Sequence, residues 1–65
     1  MIYFDDNKMV VQSYKKILKI DENEVIFIFN KKTIVVIGES ISIPIFEADE
    51  FVIKGKINKI EISKW

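Results

Sequence analysis

The sequence predicts a small all-β protein, one domain over residues 1–65, built as a mainly antiparallel meander of six to seven short strands. Runs of β-branched and aromatic residues recur along it, above all Val25-Ile26-Phe27-Ile28-Phe29 and Ile34-Val35-Val36-Ile37, and such residues fit pleated strands. Polar turn signals separate these runs every few residues. The links are too short for parallel crossovers, which need about a dozen residues or more. Sandwich, barrel and solenoid forms all stay open, since short corners can carry successive strands into different sheets.

The first element is Met1 to Phe4, followed by a polar turn, Asp5-Asp6-Asn7-Lys8. Met9-Val10-Val11-Gln12 returns as its hairpin partner. Tyr14 to Ile20 reads as a strand rather than a helical turn, because short strands and turns flank it on both sides. Tyr14, Lys16, Leu18 and Ile20 then share one face and Ile17 takes the other. Asp21-Glu22-Asn23 is the next turn. The central pair follows, joined through Asn30-Lys31-Lys32-Thr33, and both of its strands are apolar at every position. Runs of this kind belong to strands covered on both faces.

Gly38-Glu39-Ser40 is expected to break the second central strand. Ile41, Ile43 and Ile45 then alternate with Ser42 and Pro44. Proline donates no ladder hydrogen bond, so that strand is expected at an edge or with its amide outward. Glu47-Ala48-Asp49-Glu50 is an acidic turn. The last stretch shows Phe51, Ile53, Gly55 and Ile57 on one face, then switches parity to Ile60 and Ile62. A one-residue slip turns side chains to the other face, so a β-bulge near Asn58-Lys59 is expected. The expected core is Phe27, Phe29, Val36, Ile43, Ile53 and Ile57.

Composition narrows the chemistry. Ten lysines balance ten acids and no arginine is present, so the formal net charge is zero. Neither half is basic enough to act as an electrostatic handle for nucleic acid or anionic lipid. Cysteine and histidine are both absent, which removes thiol nucleophiles, imidazole catalysis and the usual soft metal ligands. No apolar run approaches the ~20 residues of a membrane span. The N-terminus has no basic region ahead of its apolar residues, so a cytoplasmic product is expected.

Three groups of residues could carry function. The acidic clusters Asp5-Asp6, Asp21-Glu22-Glu24 and Glu47-Asp49-Glu50 lie in turns without the spacing of a calcium loop. Tyr14, Lys15, Lys16, Lys19, Lys31 and Lys32 could line a nucleic-acid surface on a small barrel, where aromatics stack bases, or simply solubilise strands and guard edges. The third group is the apolar excess: Ile26, Phe27, Ile28, Phe29, Ile34, Val35, Val36 and Ile37 form a candidate interaction surface. A chain this short has few residues with which to cover both faces, so either a second layer of the same chain covers them or they serve self-association or docking onto a partner.

From Asp5 to Ile62 the chain resembles the YabP/YqfC family of small sporulation proteins, with the YqfC branch the closer. The resemblance rests on Lys8-Met9-Val10-Val11, Tyr14-Lys15-Lys16-Ile17-Leu18 and Asp21-Glu22-Asn23-Glu24-Val25. It is most specific in two glycine-centred pieces, Ile34-Val35-Val36-Ile37-Gly38-Glu39-Ser40-Ile41-Ser42-Ile43 and Phe51-Val52-Ile53-Lys54-Gly55-Lys56-Ile57-Asn58-Lys59-Ile60-Glu61. Family members usually carry a polar leader before the first strand, whereas here that strand begins at Met1, as in a shortened or divergent member. The resemblance implies a non-enzymatic protein of the mother cell of a sporulating bacterium, contributing to spore envelope formation. It implies no cofactor and no catalytic residue. Its expected partners are a second copy or another sporulation protein, with peripheral envelope association possible and nucleic acid not expected. A single-stranded nucleic-acid-binding barrel is the alternative expectation.

Overall fold

The computed structural model describes residues 1–5 and 7–64; Asp6 of the first expected turn and the terminal Trp65 lie outside the described residues. Among the described residues six strands form: β1 (Ile2–Asp5), β2 (Lys8–Gln12), β3 (Lys16–Ile20), β4 (Glu24–Phe29), β5 (Lys32–Phe46) and β6 (Glu50–Lys64). They make one sheet in the order β1-β2-β6-β5-β4-β3, and all neighbours are antiparallel. Strands β3 to β6 run as a meander, and the β1–β2 hairpin adds to the far side of β6. The sheet is not a closed barrel, since β1 and β3 are its edges, and its antiparallel pairing excludes stacked solenoid coils.

Two strands are not short. β5 and β6 are 15 residues each, and each half of them has different neighbours. Met9 and Val11 of β2 pair with Ile53 and Phe51 in the first part of β6. Val25 and Phe27 of β4 pair with Val36 and Ile34 in the first part of β5. The sheet therefore has two wings, and it folds over so that their inner faces meet. The core is Met9, Val11, Phe51 and Ile53 from one wing, Val25, Phe27, Ile34 and Val36 from the other, and Ile41 at the bend. Phe27 and Phe51 cross the seam edge-to-face, with ring centroids 5.2 Å apart at 85°. Tyr14 meets Phe51 in the same manner at 4.9 Å.

The bend is written into β5 and β6. Ile37 pairs with Lys59 and Gly38 with Ile57, so Asn58 is the extra residue of a bulge. That is the expected parity switch, and it returns Ile60 and Ile62 to the inner face opposite Val36 and Ile34. Gly38-Glu39-Ser40 does not end the strand as expected. The pairing slips there instead: Glu39 faces Lys56 and Ser42 faces Lys54. Ser40 takes φ 53° and Gly55 φ 140°. A Cβ on Gly55 would stand 2.7 Å from the Ser40 carbonyl oxygen, and one on Gly38 would run into the Lys56 carbonyl oxygen. These glycines let two backbones close on each other where the sheet turns.

Pro44 sits where it was expected. Only Lys32–Ile37 of β5 is paired with β4, so the stretch around Pro44 has β6 on one side and no strand on the other. A further slip there sets Ile43 and Pro44 against Ile53, between the pairs Ser42–Lys54 and Ile45–Val52. This breaks the simple alternation of Ile41, Ile43 and Ile45. Ile41 is buried, Ile43 half-buried, and Ile45 turns to the outer face with Val52.

Of the expected core, Phe27, Val36 and Ile53 are fully buried, while Phe29, Ile43 and Ile57 pack half-buried against the central cluster. The stretch from Tyr14 to Ile20 does contain a strand, but its faces differ from the simple alternation. The pairing slips at Leu18, so Ile17 faces Phe27 while Lys19 faces Ile26. Ile20 consequently falls opposite the inward Val25, and Tyr14 packs inward on Phe51 rather than outward with Lys16.

Candidate interaction surface

The eight residues of the apolar excess divide by parity. On β4 and β5, Phe27, Ile34 and Val36 point into the chain's own core and Phe29 lies against it. Folding has used them, so they cannot dock a partner while the core is intact. Ile26, Ile28, Val35 and Ile37 point the other way. None of these four belongs to the core cluster or packs against it. Ile26, Val35 and Ile37 are half-buried, and Ile28 is only 4% exposed.

Register sets this outer stripe within rows of polar residues. One row across β3, β4, β5 and β6 reads Lys19, Ile26, Val35, Glu61; its neighbour reads Lys16, Ile28, Thr33, Ser63. Directly opposed residues share a face, so two aliphatic strands are bracketed by lysines on β3 and by mixed charge on β6. A third row, Glu24, Ile37, Lys59, closes the stripe toward the Asp21 turn. Leu18, half exposed at its bulge, lines a shallow hollow with Ile28, Lys15 and Lys16.

Two of the bracketing lysines, Lys19 and Lys59, are paired within the chain. The Lys19 ammonium donates to Glu24 at 2.7 Å and lies 3.6 Å from Asp21. Lys59 meets Glu61 at 2.9 Å. Hydrogen bonding to Glu24, reinforced by its charge, raises the Lys19 pKa. The Asp21 carboxylate accepts backbone N–H bonds from Asn23 at 2.8 Å and Glu24 at 2.7 Å. The bond from Asn23 is the main cause that holds its pKa below the ordinary aspartate value. Lys19, Asp21, Lys59 and Glu61 are exposed and Glu24 is half-buried, so the pairs contribute little to stability and can exchange partners.

The basic residues do not assemble into a stacking platform. The Tyr14 ring is pressed on Phe51, and its hydroxyl donates to the Glu47 carbonyl oxygen at 3.1 Å. Lys19 is neutralised by Glu24, and Lys31 lies in the β4–β5 turn. The acidic clusters sit in or beside turns; among the described residues no group of three or more carboxylates is arranged to hold a metal ion.

A second outer row went unnoticed in the sequence. Tyr3, Val10, Val52 and Ile45 lie side by side on the first wing, with Tyr3 41% and Ile45 45% exposed. Its signal was the same as that of β4: Met9-Val10-Val11 and Phe51-Val52-Ile53 are apolar on both parities.

Fold and surface together define a small all-β protein of one folded-over antiparallel sheet with an aliphatic stripe on its outer face. No family model, no curated protein and no solved structure matches the chain. Among the described residues, no helix is long and apolar enough to cross a membrane.

Proposed function

We propose that the chain is a non-enzymatic protein that works through protein–protein contacts, and that its contact surface is the outer stripe of Ile26, Ile28, Val35 and Ile37. The observation that supports this reading is the parity split of β4 and β5. One apolar face fills the core; on the other, Ile26, Val35 and Ile37 are half-buried, and Ile28 is covered beside the hollow it lines with Leu18, Lys15 and Lys16. Aliphatic surface left in this way is the usual mark of an interaction site. The resemblance to the YabP/YqfC pattern supports placing these contacts in the mother cell of a sporulating bacterium, during spore envelope formation. It adds no catalytic role.

The test is a double variant, Ile26→Lys with Val35→Lys, compared with deletion of the gene in a spore-forming host that carries it. Deletion is expected to lower the yield of resistant spores, and the folded double variant to lower it as far. A double variant that sporulates like the wild type would remove the stripe from the function. Salt-dependent binding of a labelled single-stranded oligonucleotide by the wild type, absent from the variant, would favour the nucleic-acid alternative instead.

A further inference from the structure

From the order of residues across the outer stripe, we infer that its partner is a second copy of this chain. The two stripes pack face to face about a twofold axis that runs parallel to the strands, between β4 and β5. This rests on reading the stripe as a contact surface, and it names what covers it.

The order of charges across the strands selects the axis. Across β3 to β6 the middle row reads Lys19, Ile26, Val35, Glu61. An axis along the strands reverses that order in the facing copy. Each Lys19 then lies over a Glu61, and each Ile26 over a Val35. In the adjacent row Lys16 comes over Ser63 and Ile28 over Thr33. In the third, Lys59 comes over the Asp21 end of the partner, beside Glu24, which lies over Ile37. In the middle row each rim charge meets its opposite and Ile26 meets Val35 at the centre, while in the flanking rows Ile28 lies over Thr33 and Ile37 over Glu24. The alternative axis, across the strands, would set Lys19 on Lys19 and Glu61 on Glu61. Self-complementarity about one axis is what a twofold interface requires, and charge order suppresses the wrong pairing.

The intrachain partners do not prevent this. Lys19 and Glu61 side chains are about half exposed, so each can turn to the facing copy at little cost. The competing row, Tyr3-Val10-Val52-Ile45, is one residue deep, and the same kind of axis would bring Lys8 over Lys54 beside it. Four strands at about 4.8 Å spacing make the contacting face, stripe and rims together, about 19 Å wide. That is a small interface, so the dimer is expected to form in the micromolar range rather than below it.

The test is sedimentation velocity on Lys19→Glu and Glu61→Lys, each alone and mixed in equal amounts, over low-micromolar to millimolar concentrations. Alone, each variant sets like charges at both rim contacts and is expected to dimerise at least about tenfold more weakly than wild type. The mixture restores both contacts and should return to near wild-type association. Val35→Lys, at the axis, should abolish association while the circular dichroism spectrum is kept; it serves if Lys19→Glu, which gathers three carboxylates, impairs folding. The control pair Lys54→Glu and Glu50→Lys, on the other outer face, should leave association unchanged.

A strictly monomeric wild type would overturn the inference. So would a mixture that fails to re-associate, or a dimer broken by the control pair instead. In each of those cases the sporulation readout of the Ile26→Lys, Val35→Lys variant still decides separately whether the stripe contacts some other protein.

Discussion

Gly55 carries more of the architecture than its size indicates. Its φ of 140° and the 2.7 Å approach that a Cβ would make to the Ser40 carbonyl oxygen act together. Gly55→Ala is therefore expected to cost more than about 2 kcal/mol, read as a lower urea midpoint. Asp21 accepts two backbone hydrogen bonds in its charged form. Its folded pKa is lowered, mainly by the Asn23 N–H bond. The stability it contributes is thus present above its unfolded pKa and lost as pH falls through the lower, folded one. Lys19, whose folded pKa is raised, contributes below its unfolded value and loses this as pH rises through the folded one. Asp21→Asn should flatten the acid limb of the urea midpoint against pH; an unchanged limb would mean that other carboxylates set it. At this scale Pro44 and Asn58 were legible in the sequence, because a missing donor and a parity switch each have one structural remedy. Gly38 was not, because a glycine that ends a strand and one that lets two strands close look alike.

Among the elements, β6 joins the wings, and Phe51 is its anchor. The ring touches Tyr14, Phe27 and Phe46, with centroids 4.9, 5.2 and 6.4 Å away. Phe51→Ala should destabilise the fold by about 3–5 kcal/mol, measured by urea unfolding. Deleting Asn58 tests the bulge directly. Without it Ile60 would turn from Val36 toward solvent, and a loss of cooperative unfolding is expected; unaltered stability would show that the sheet can bend without that residue. The strands themselves were legible from composition and turn signals. The slips at Leu18, between Glu39 and Ser42, and between Ser42 and Ile45 were not, because they depend on the partner strand rather than on the residues that slip. For that reason Tyr14 and Ile20 were assigned to the wrong face, and β5 looked like two strands.

For the molecule as a whole, the sequence showed that two strands are apolar on both sides, but not which side the chain would cover for itself. Only register decides that Phe27, Ile34 and Val36 are spent on the core while Ile26, Ile28, Val35 and Ile37 stay outside it. Register also supplies the charge order on which the twofold pairing rests, and no one-dimensional pattern displays it. The most direct measurement is a methyl-resolved NMR dilution series on the wild-type chain. The account predicts that resonances of Leu18, Ile26, Ile28, Val35 and Ile37 move with protein concentration, while those of Val11, Val25, Val36 and Ile53 hold still. Shifts centred on Val10, Val52 and Ile45, or none at any concentration, would contradict it.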